Sequence, residues 1–312
     1  AVFTALNALT QAGFEAYLVG GAVRDFLLGK KPQDYDITTN AHPEQVLQIC
    51  YQHNWQMVDN LGRNFGCVMI IIDDMPLEIT TFRGERYDDS DIHRPAHTWY
   101  CKTLHEDLSR RDFTVNAMAL DLQGKLYDFF NGYQDLQQKI LRTVGKSNVR
   151  YQEDALRMFR ACRFTAQLGF TYYQDNDDCG SFGMKGTPYS LRHSYRFPSH
   201  RCSNLSLERV RKEIDKLLLA PYAGHGLMLM MSTGLFNTKC RIRSNGKNIY
   251  IDFLPELQHL LGLPQNPRFH LYDVWEHTLL ALDNSPKNLL IRWVLLLHDL
   301  GKGLPQIRKL NK

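Results

Sequence analysis

The chain has 312 residues, 44% hydrophobic and 22% charged, with 37 Lys and Arg against 33 Asp and Glu for a net charge of +4. The apolar fraction excludes general disorder, and the longest apolar run, Cys67 to Ile72, is far short of the roughly 18 residues a membrane span needs. This length implies two or three domains, and so small a charge permits a polyanionic partner without demanding one.

Residues 5–12 have helical spacing. Ala16 to Val19 reads as a short strand closed by Gly20-Gly21, and Ala22 to Leu28 as a helix ended by Gly29. Lys30 to Gln33 is a turn, and Asp34 to Thr39 has strand character. Pro43 starts a helix that runs to about Gln52. Val68 to Ile72 and Leu77 to Phe82 flank Asp73-Asp74-Met75-Pro76, a hairpin pattern. Arg83 to Tyr100 is polar and reads as a mobile loop. Beyond about residue 130 strand signals fade, and helices are expected over 152–170, 206–219 and 288–298. Residues 171–204 and 237–250 show no helical period and read as loops, although long loops are uncommon inside a compact helical domain. The fold class is α+β, with a small mixed sheet first and helices after. The seven cysteines include no CxxC pair, which argues against a disulfide framework or a structural zinc. No basic region followed by an apolar core opens the chain, so a cytoplasmic location is expected.

The sharpest chemical signal lies at 18–36. A strand ending in Gly-Gly and entering a helix exposes unpaired backbone N–H groups, which suit phosphate. Arg24 in the first turn could add a contact. A tight turn accounts for the glycines equally well. Asp34 and Asp36, two apart on a strand, point to one side and repel each other unless a cation lies between them. The alternative is a solvated edge with two ordinary acids. Glu78 tips the balance, because it is a lone charge in an apolar strand, where burial is costly. If that strand neighbours 34–39, three carboxylates converge. Hard oxygen donors of this kind suit Mg²⁺ shared with substrate phosphates.

Gly20-Gly21-x-x-Arg24-Asp25 with Asp34-x-Asp36 resembles the nucleotidyltransferase core of the tRNA nucleotidyltransferase and poly(A) polymerase family. Glu78 in the Glu78-Ile79-Thr80-Thr81-Phe82-Arg83 stretch is similar to that family's third catalytic carboxylate. Arg110-Arg111-Asp112-Phe113-Thr114-Val115-Asn116-Ala117-Met118 resembles its ribose and triphosphate motif. Glu153-Asp154-x-x-Arg157-x-x-Arg160 resembles its base-reading motif, and Leu205-Ser206-x-Glu208-Arg209 a helical motif supporting the neck.

The resemblance implies a polymerase-β-like head over 1–142, a helical neck and body over 143–236, and a partial helical domain over 251–312. It implies that Asp34 and Asp36 hold two Mg²⁺ ions and Glu78 the catalytic one. Arg111 would contact phosphate, and Asp112 and Asn116 the ribose hydroxyls. On a continuous helix Glu153, Asp154, Arg157 and Arg160 share one arc, opposite a packing face of Ala155, Met158, Phe159, Cys162 and Ala166. A carboxylate there can accept from the exocyclic amine of cytosine or adenine while a guanidinium donates to the adjacent ring atom. The resemblance assigns those roles to Asp154 and Arg157, with CTP, ATP and the tRNA 3′ end as partners and no membrane. It also implies that the 83–100 loop helps to switch base choice.

At the far end, His277 and the run Leu295 to Lys302, which holds His298-Asp299, resemble HD-type metal phosphohydrolases. That family needs a further aspartate, and none follows Asp299. The expectation is an HD-like helical segment whose metal set is incomplete, or a chain cut short within that domain. The main expectation is Mg²⁺-dependent addition of C and/or A to tRNA 3′ ends. Poly(A) addition is the first alternative. Leu61-Gly62-Arg63-Asn64-Phe65-Gly66 only half matches the basic stretch of poly(A) polymerases. An HD phosphohydrolase with an RNA-binding head is the second.

Overall fold

The computed structural model describes residues 1–58, 66–86, 97–174, 189, 197–305 and 307, and the chain divides into two units, 1–147 and 148–312. The first unit opens with α1 (Val2–Gln11), β1 (Ala16–Val19), α2 (Gly21–Leu27), β2 (Asp36–Thr39) and α3 (Pro43–Gln52). It continues with β3 (Gln56–Met57), β4 (Cys67–Ile72), β5 (Met75–Thr81), β6 (Arg83–Arg86), β7 (His97–Tyr100) and α4 (Leu104–Ser109). It closes with β8 (Met118–Leu120), β9 (Leu126–Asp128), α5 (Gly132–Gln138) and β10 (Ile140–Leu141).

Seven of these strands form one mixed sheet in the order β3-β4-β5-β2-β1-β8-β9. Only the β2–β5 pairing is parallel. The parallel pair is what matters for chemistry, because its register sets Asp36 directly beside Glu78. Ile37, Ile70, Leu77 and Ile79 are buried in one apolar cluster with Leu6 and Leu9 of α1 and Val46 and Ile49 of α3. Burying side chains of this size contributes about 1.5–3 kcal/mol each, which holds the two carboxylate-bearing strands rigidly.

The β4–β5 hairpin forms as its sequence predicts, with a tighter turn. Asp73 and Asp74 both take positive φ, 51° and 59°, the backbone that two-residue hairpins require. The predicted strand at 34–39 begins two residues late. Val19 is the last β1 residue to face β2, pairing with Asp36, and the chain then turns at Gly20 (φ +72°). Asp34 therefore has no strand neighbour and sits exposed on a bend. The polar segment 83–100 is not a simple loop, since its ends pair as β6 and β7 from Arg83↔Tyr100 to Arg86↔His97. Residues 87–96, and most of 61–66, lie outside the described residues.

The second unit holds α6 (Ser147–Glu153), α7 (Leu156–Leu168), β11 (Thr171–Tyr172), α8 (Leu207–Leu218), α9 (Ala223–Ser232), β12 (Lys239–Ser244), β13 (Lys247–Asp252), α10 (Val274–Asp283) and α11 (Leu289–Leu297). Helix α7 packs on α8 and α9. Close approach to α9 needs Gly226, where a Cβ would meet the Cys162 carbonyl at 2.6 Å. Arg292 of α11 is buried and donates to the carbonyls of Leu218 and Ala220, capping the end of α8.

Two expectations fail here. The helix expected over 152–170 breaks at 154–155, because the Asp154 carboxylate accepts the Leu156 N–H at 3.0 Å and starts a new helix. The segment 237–250 is not a loop, for β12 and β13 pair across its length. Its turn is Asn245-Gly246, both at positive φ (50° and 76°), a strong hairpin signal. Of the other expected loop, 173–188 falls mainly outside the described residues, while Ser199–Asn204 forms a 3₁₀ turn. No helix among the described residues is long and apolar enough to cross a membrane.

Candidate active site

The sheet brings Asp36 and Glu78 side by side, with Asp34 two residues upstream. Burial, then the Glu78 charge, and to a smaller degree Asp34, push the Asp36 carboxyl up to about 6, against an opposing pull from Arg111. Asp36 is thus coupled to Glu78 beside it and less strongly to Asp34, which lies on a bend and not on the expected strand. A cation between Asp36 and Glu78 would relieve their mutual repulsion, and hard carboxylate oxygens suit a divalent ion such as Mg²⁺.

Gly20 closes this corner. A Cβ at that position would lie 3.2 Å from Arg111 Nη1 and 3.6 Å from Asp36 Oδ2. The glycine turn, the Arg111 guanidinium and Asp36 therefore face one small space. Its surroundings set both the positive φ and the missing side chain, so the turn is more than local punctuation.

Arg111 reaches this space from a buried acid that the sequence pattern does not single out. Asp107 on α4 is fully buried and accepts from Arg111 Nη2 at 3.3 Å, Arg110 Nη2 at 2.7 Å and Thr38 Oγ1 at 3.1 Å. Burial pushes its pKa up, but Arg111 and Arg110 outweigh that and hold the carboxyl below the usual range. The signal is weak in the sequence, because an acid in the first turn of a short helix is ordinary there. Arg111 Nε is buried and has no hydrogen-bond partner among the described residues.

Arg24 turns inward. It donates to Asn116 Oδ1 at 2.6 Å and to Asp25 Oδ1 at 2.9 Å. Asn116 in turn donates to Asp112 Oδ1 at 3.4 Å, and that oxygen also accepts the Phe113 N–H at 2.8 Å. Gly21 lies over this arginine, its virtual Cβ 3.4 Å from Arg24 Nη2. Arg24, Asp112 and Asn116 thus form one buried chain joining the glycine turn to the 112–116 segment. Cys67 is a second residue that no sequence pattern marks. Its thiol is pushed up to about 12 by burial first and by the adjacent, hydrogen-bonded Glu78 second, so it stays protonated beside that carboxylate.

In the second unit, Asp154 and Arg157 do not share one uninterrupted helix face, because the helix breaks between them. Arg157 is buried and pairs with Glu153 at 2.7 Å, and Asp154 faces Arg209 at 3.6 Å. Arg160 stacks over the Phe164 ring at 5.4 Å. The expected packing face holds: Ala155, Met158, Phe159, Cys162 and Ala166 are all buried. Ser206 caps α8 through the Arg209 N–H at 3.3 Å.

Near the end of the chain, ligand atoms of His277, His298 and Asp299 lie within 4.8 Å of one another. The His270 ring is 5.6 Å from that of His277. Lys302 Nζ already stands on Asp299 at 2.8 Å.

Comparison with known proteins matches residues 16–142 to the family described as "Poly A polymerase head domain" and residues 198–238 to that described as "Probable RNA and SrmB- binding site of polymerase A". A CCA-adding enzyme of a Geobacillus species is 39% identical over 231 residues, covering 74% of this chain and 52% of the relative. The CCA-adding enzyme of Lactobacillus johnsonii is 35% identical over 294 residues, covering 89% of this chain and 68% of the relative. The crystal structure of the Bacillus stearothermophilus CCA-adding enzyme in complex with CTP superposes with a TM-score of 0.67 at 30% identity, covering 96% of this chain and 62% of that one. The sheet topology and the head match define a polymerase-β-like nucleotidyltransferase fold. The chain belongs to the CCA-adding enzyme family. It spans about half the length of the Geobacillus relative.

Proposed function

We propose that the chain adds C and A nucleotides to the 3′ end of tRNA from CTP and ATP, without a nucleic-acid template. In this reading the tRNA 3′-oxygen attacks the α-phosphorus of the nucleotide. A new O–P bond forms, the α–β phosphoanhydride bond breaks, and pyrophosphate leaves. Asp34, Asp36 and Glu78 hold divalent cations, Mg²⁺ in this proposal. Cations held there would lower the pKa of the attacking hydroxyl and neutralise charge on the leaving pyrophosphate.

The chain's own residues supply position. Gly20 leaves room for a phosphate to approach, and Gly21 lies over the Arg24 guanidinium. Arg111 offers its guanidinium to that phosphate, steadied by Asp107. Asp112 and Asn116 are assigned the ribose hydroxyls, on a frame stiffened by Arg24. Asp154 and Arg157 are assigned base choice, with Arg160 supporting them, because an acid–guanidinium pair complements the amine edge shared by cytosine and adenine. We assign catalysis to residues 1–142 and base choice with RNA binding to 143–236, with the reaction in the cytoplasm.

The observation that carries this reading is the Asp36–Glu78 pairing beside the Gly20 turn and Arg111. The names of the relatives favour CCA addition over poly(A) addition. A smaller, separate reading rests on His277, His298 and Asp299: their closeness favours a divalent-cation site, for which Lys302 competes.

The test is primer extension on tRNA lacking A, CA or CCA, with Mg²⁺ and labelled CTP or ATP. Growth by the one, two or three missing nucleotides is expected. A long A-tail would replace this reading with poly(A) addition, and no incorporation would refute it.

A further inference from the structure

The β12–β13 ribbon begins one residue beyond the 198–238 match. Its register runs from Lys239↔Asp252 to Ser244↔Lys247, so strand alternation sorts its side chains onto two faces. One face carries Cys240, Ile242, Ile249 and Ile251, and is anchored by the fully buried Cys240. The other carries Lys239, Arg241 and Arg243 along β12, with Tyr250 directly across from Arg241 and Asn248 across from Arg243.

This second face is polar, basic and open. Tyr250 is 50% exposed. Its single acid, Asp252, is matched by Lys239 at 3.8 Å, with both side chains more than half exposed. Among the described residues, Arg241 and Arg243 make no ion pair. Basic side chains in a row beside an exposed aromatic ring offer two things at once. They give a track for phosphates and a platform for a base or ribose.

The ribbon is also fixed in place against the neighbouring chain. The Arg241 N–H donates to the Leu205 carbonyl at 2.7 Å, and Arg241 forms an isolated parallel bridge with Ser206. Leu205 and Ser206 lie inside the segment matched to the family described as a probable RNA-binding site. Charge complementarity and this continuity both select a polyanionic strand as the occupant.

We propose that the β12–β13 ribbon is an RNA-binding surface that grips the tRNA substrate. Arg241, Arg243 and Lys239 hold backbone phosphates, and Tyr250 packs on a ribose or base. This rests on tRNA being the substrate, but it does not depend on the catalytic carboxylates.

The test is equilibrium binding of the full chain to a tRNA transcript lacking CCA, with no nucleotide present, over a range of KCl concentrations. Removing two phosphate contacts in an Arg241→Ala/Arg243→Ala protein is expected to weaken binding at least tenfold and to flatten the slope of log affinity against log salt by about 2. Tyr250→Ala is expected to weaken binding about tenfold with the slope kept, because stacking carries no counterion release. An Arg241→Lys/Arg243→Lys protein, which keeps the charge, should retain the parent slope, and circular dichroism checks that each variant folds. Affinities within twofold of the parent with an unchanged slope in the double alanine variant would overturn the proposal, and would leave this face to a protein partner or to solvent. Because the assay contains no nucleotide, a failure of incorporation would count against the catalytic reading alone.

Discussion

Asp36 is where the energetics of the site are most exposed to test. Its carboxyl moves from 3.8 to about 6 on folding, chiefly through burial and the adjoining Glu78. A raised folded pKa means that the native chain binds this proton more tightly than the unfolded chain. The stabilisation is fully present below about pH 4 and is lost as pH rises through about 6. At pH 7.5, without metal, the buried charge therefore costs about 3 kcal/mol. Asp36→Asn removes that charge and keeps the shape. In EDTA at pH 7.5 it is expected to raise Tm by about 4–8 °C, with the gain gone at pH 4. A Tm gain equal at both pH values, or a loss at pH 7.5, would contradict this origin of the shift. The acids were legible in the sequence because a lone charge in an apolar strand is costly to bury unless a cation or a hydrogen-bonding partner meets it. Asp107 and Cys67 were not, since what they do depends on tertiary neighbours: Asp107 is tied to Thr38 of β2 as well as to nearby Arg111, and Cys67 touches Glu78 across the β4–β5 hairpin.

At the scale of elements, local chemistry was legible wherever it acted alone. Pro43 at the start of α3, Ser206 capping α8 and Asn288 capping α11 through the Ile291 N–H mark helices near their expected bounds. The same kind of chemistry misled where it competed with periodicity. Asp154, just before α7, accepts the Leu156 N–H and breaks a run whose spacing alone reads as continuous, and Asn245-Gly246 makes a hairpin where the absence of a helical period suggested a loop. Close helix packing depends on residues that carry no pattern at all. At Gly226 a Cβ would meet the Cys162 carbonyl at 2.6 Å and the Ala166 Cβ at 2.8 Å, neither of which can swing away. Gly226→Ala should therefore push α9 off α7 and cost about 1–3 kcal/mol, read as a lower midpoint in urea unfolding. A midpoint equal to or above that of the parent would show that the two helices are not held at this distance.

For the whole molecule, the +4 net charge and the length of 312 residues narrowed little. The charge says more once located, because the open face of the β12–β13 ribbon gathers Lys239, Arg241 and Arg243 while Asp36 and Glu78 stand side by side on the sheet of the head. The α+β class and the mainly helical second half were legible from where the strand signals stop. The seven-stranded order of the sheet was not, since its central parallel pairing joins β2 to β5 across an intervening helix and a hairpin. That pairing makes the Asp36–Glu78 neighbourhood, and the proposed chemistry depends on it. The most direct measurement is single-turnover incorporation of labelled CMP into tRNA lacking CCA, comparing the parent with Asp36→Asn at equal folded concentration and saturating Mg²⁺. If these carboxylates hold the catalytic cations, the parent adds the missing nucleotides and Asp36→Asn is slower by about a thousandfold or more, a barrier increase of about 4 kcal/mol, although it is the more stable protein in EDTA. A variant that incorporates CMP within tenfold of the parent would contradict the role given to these carboxylates.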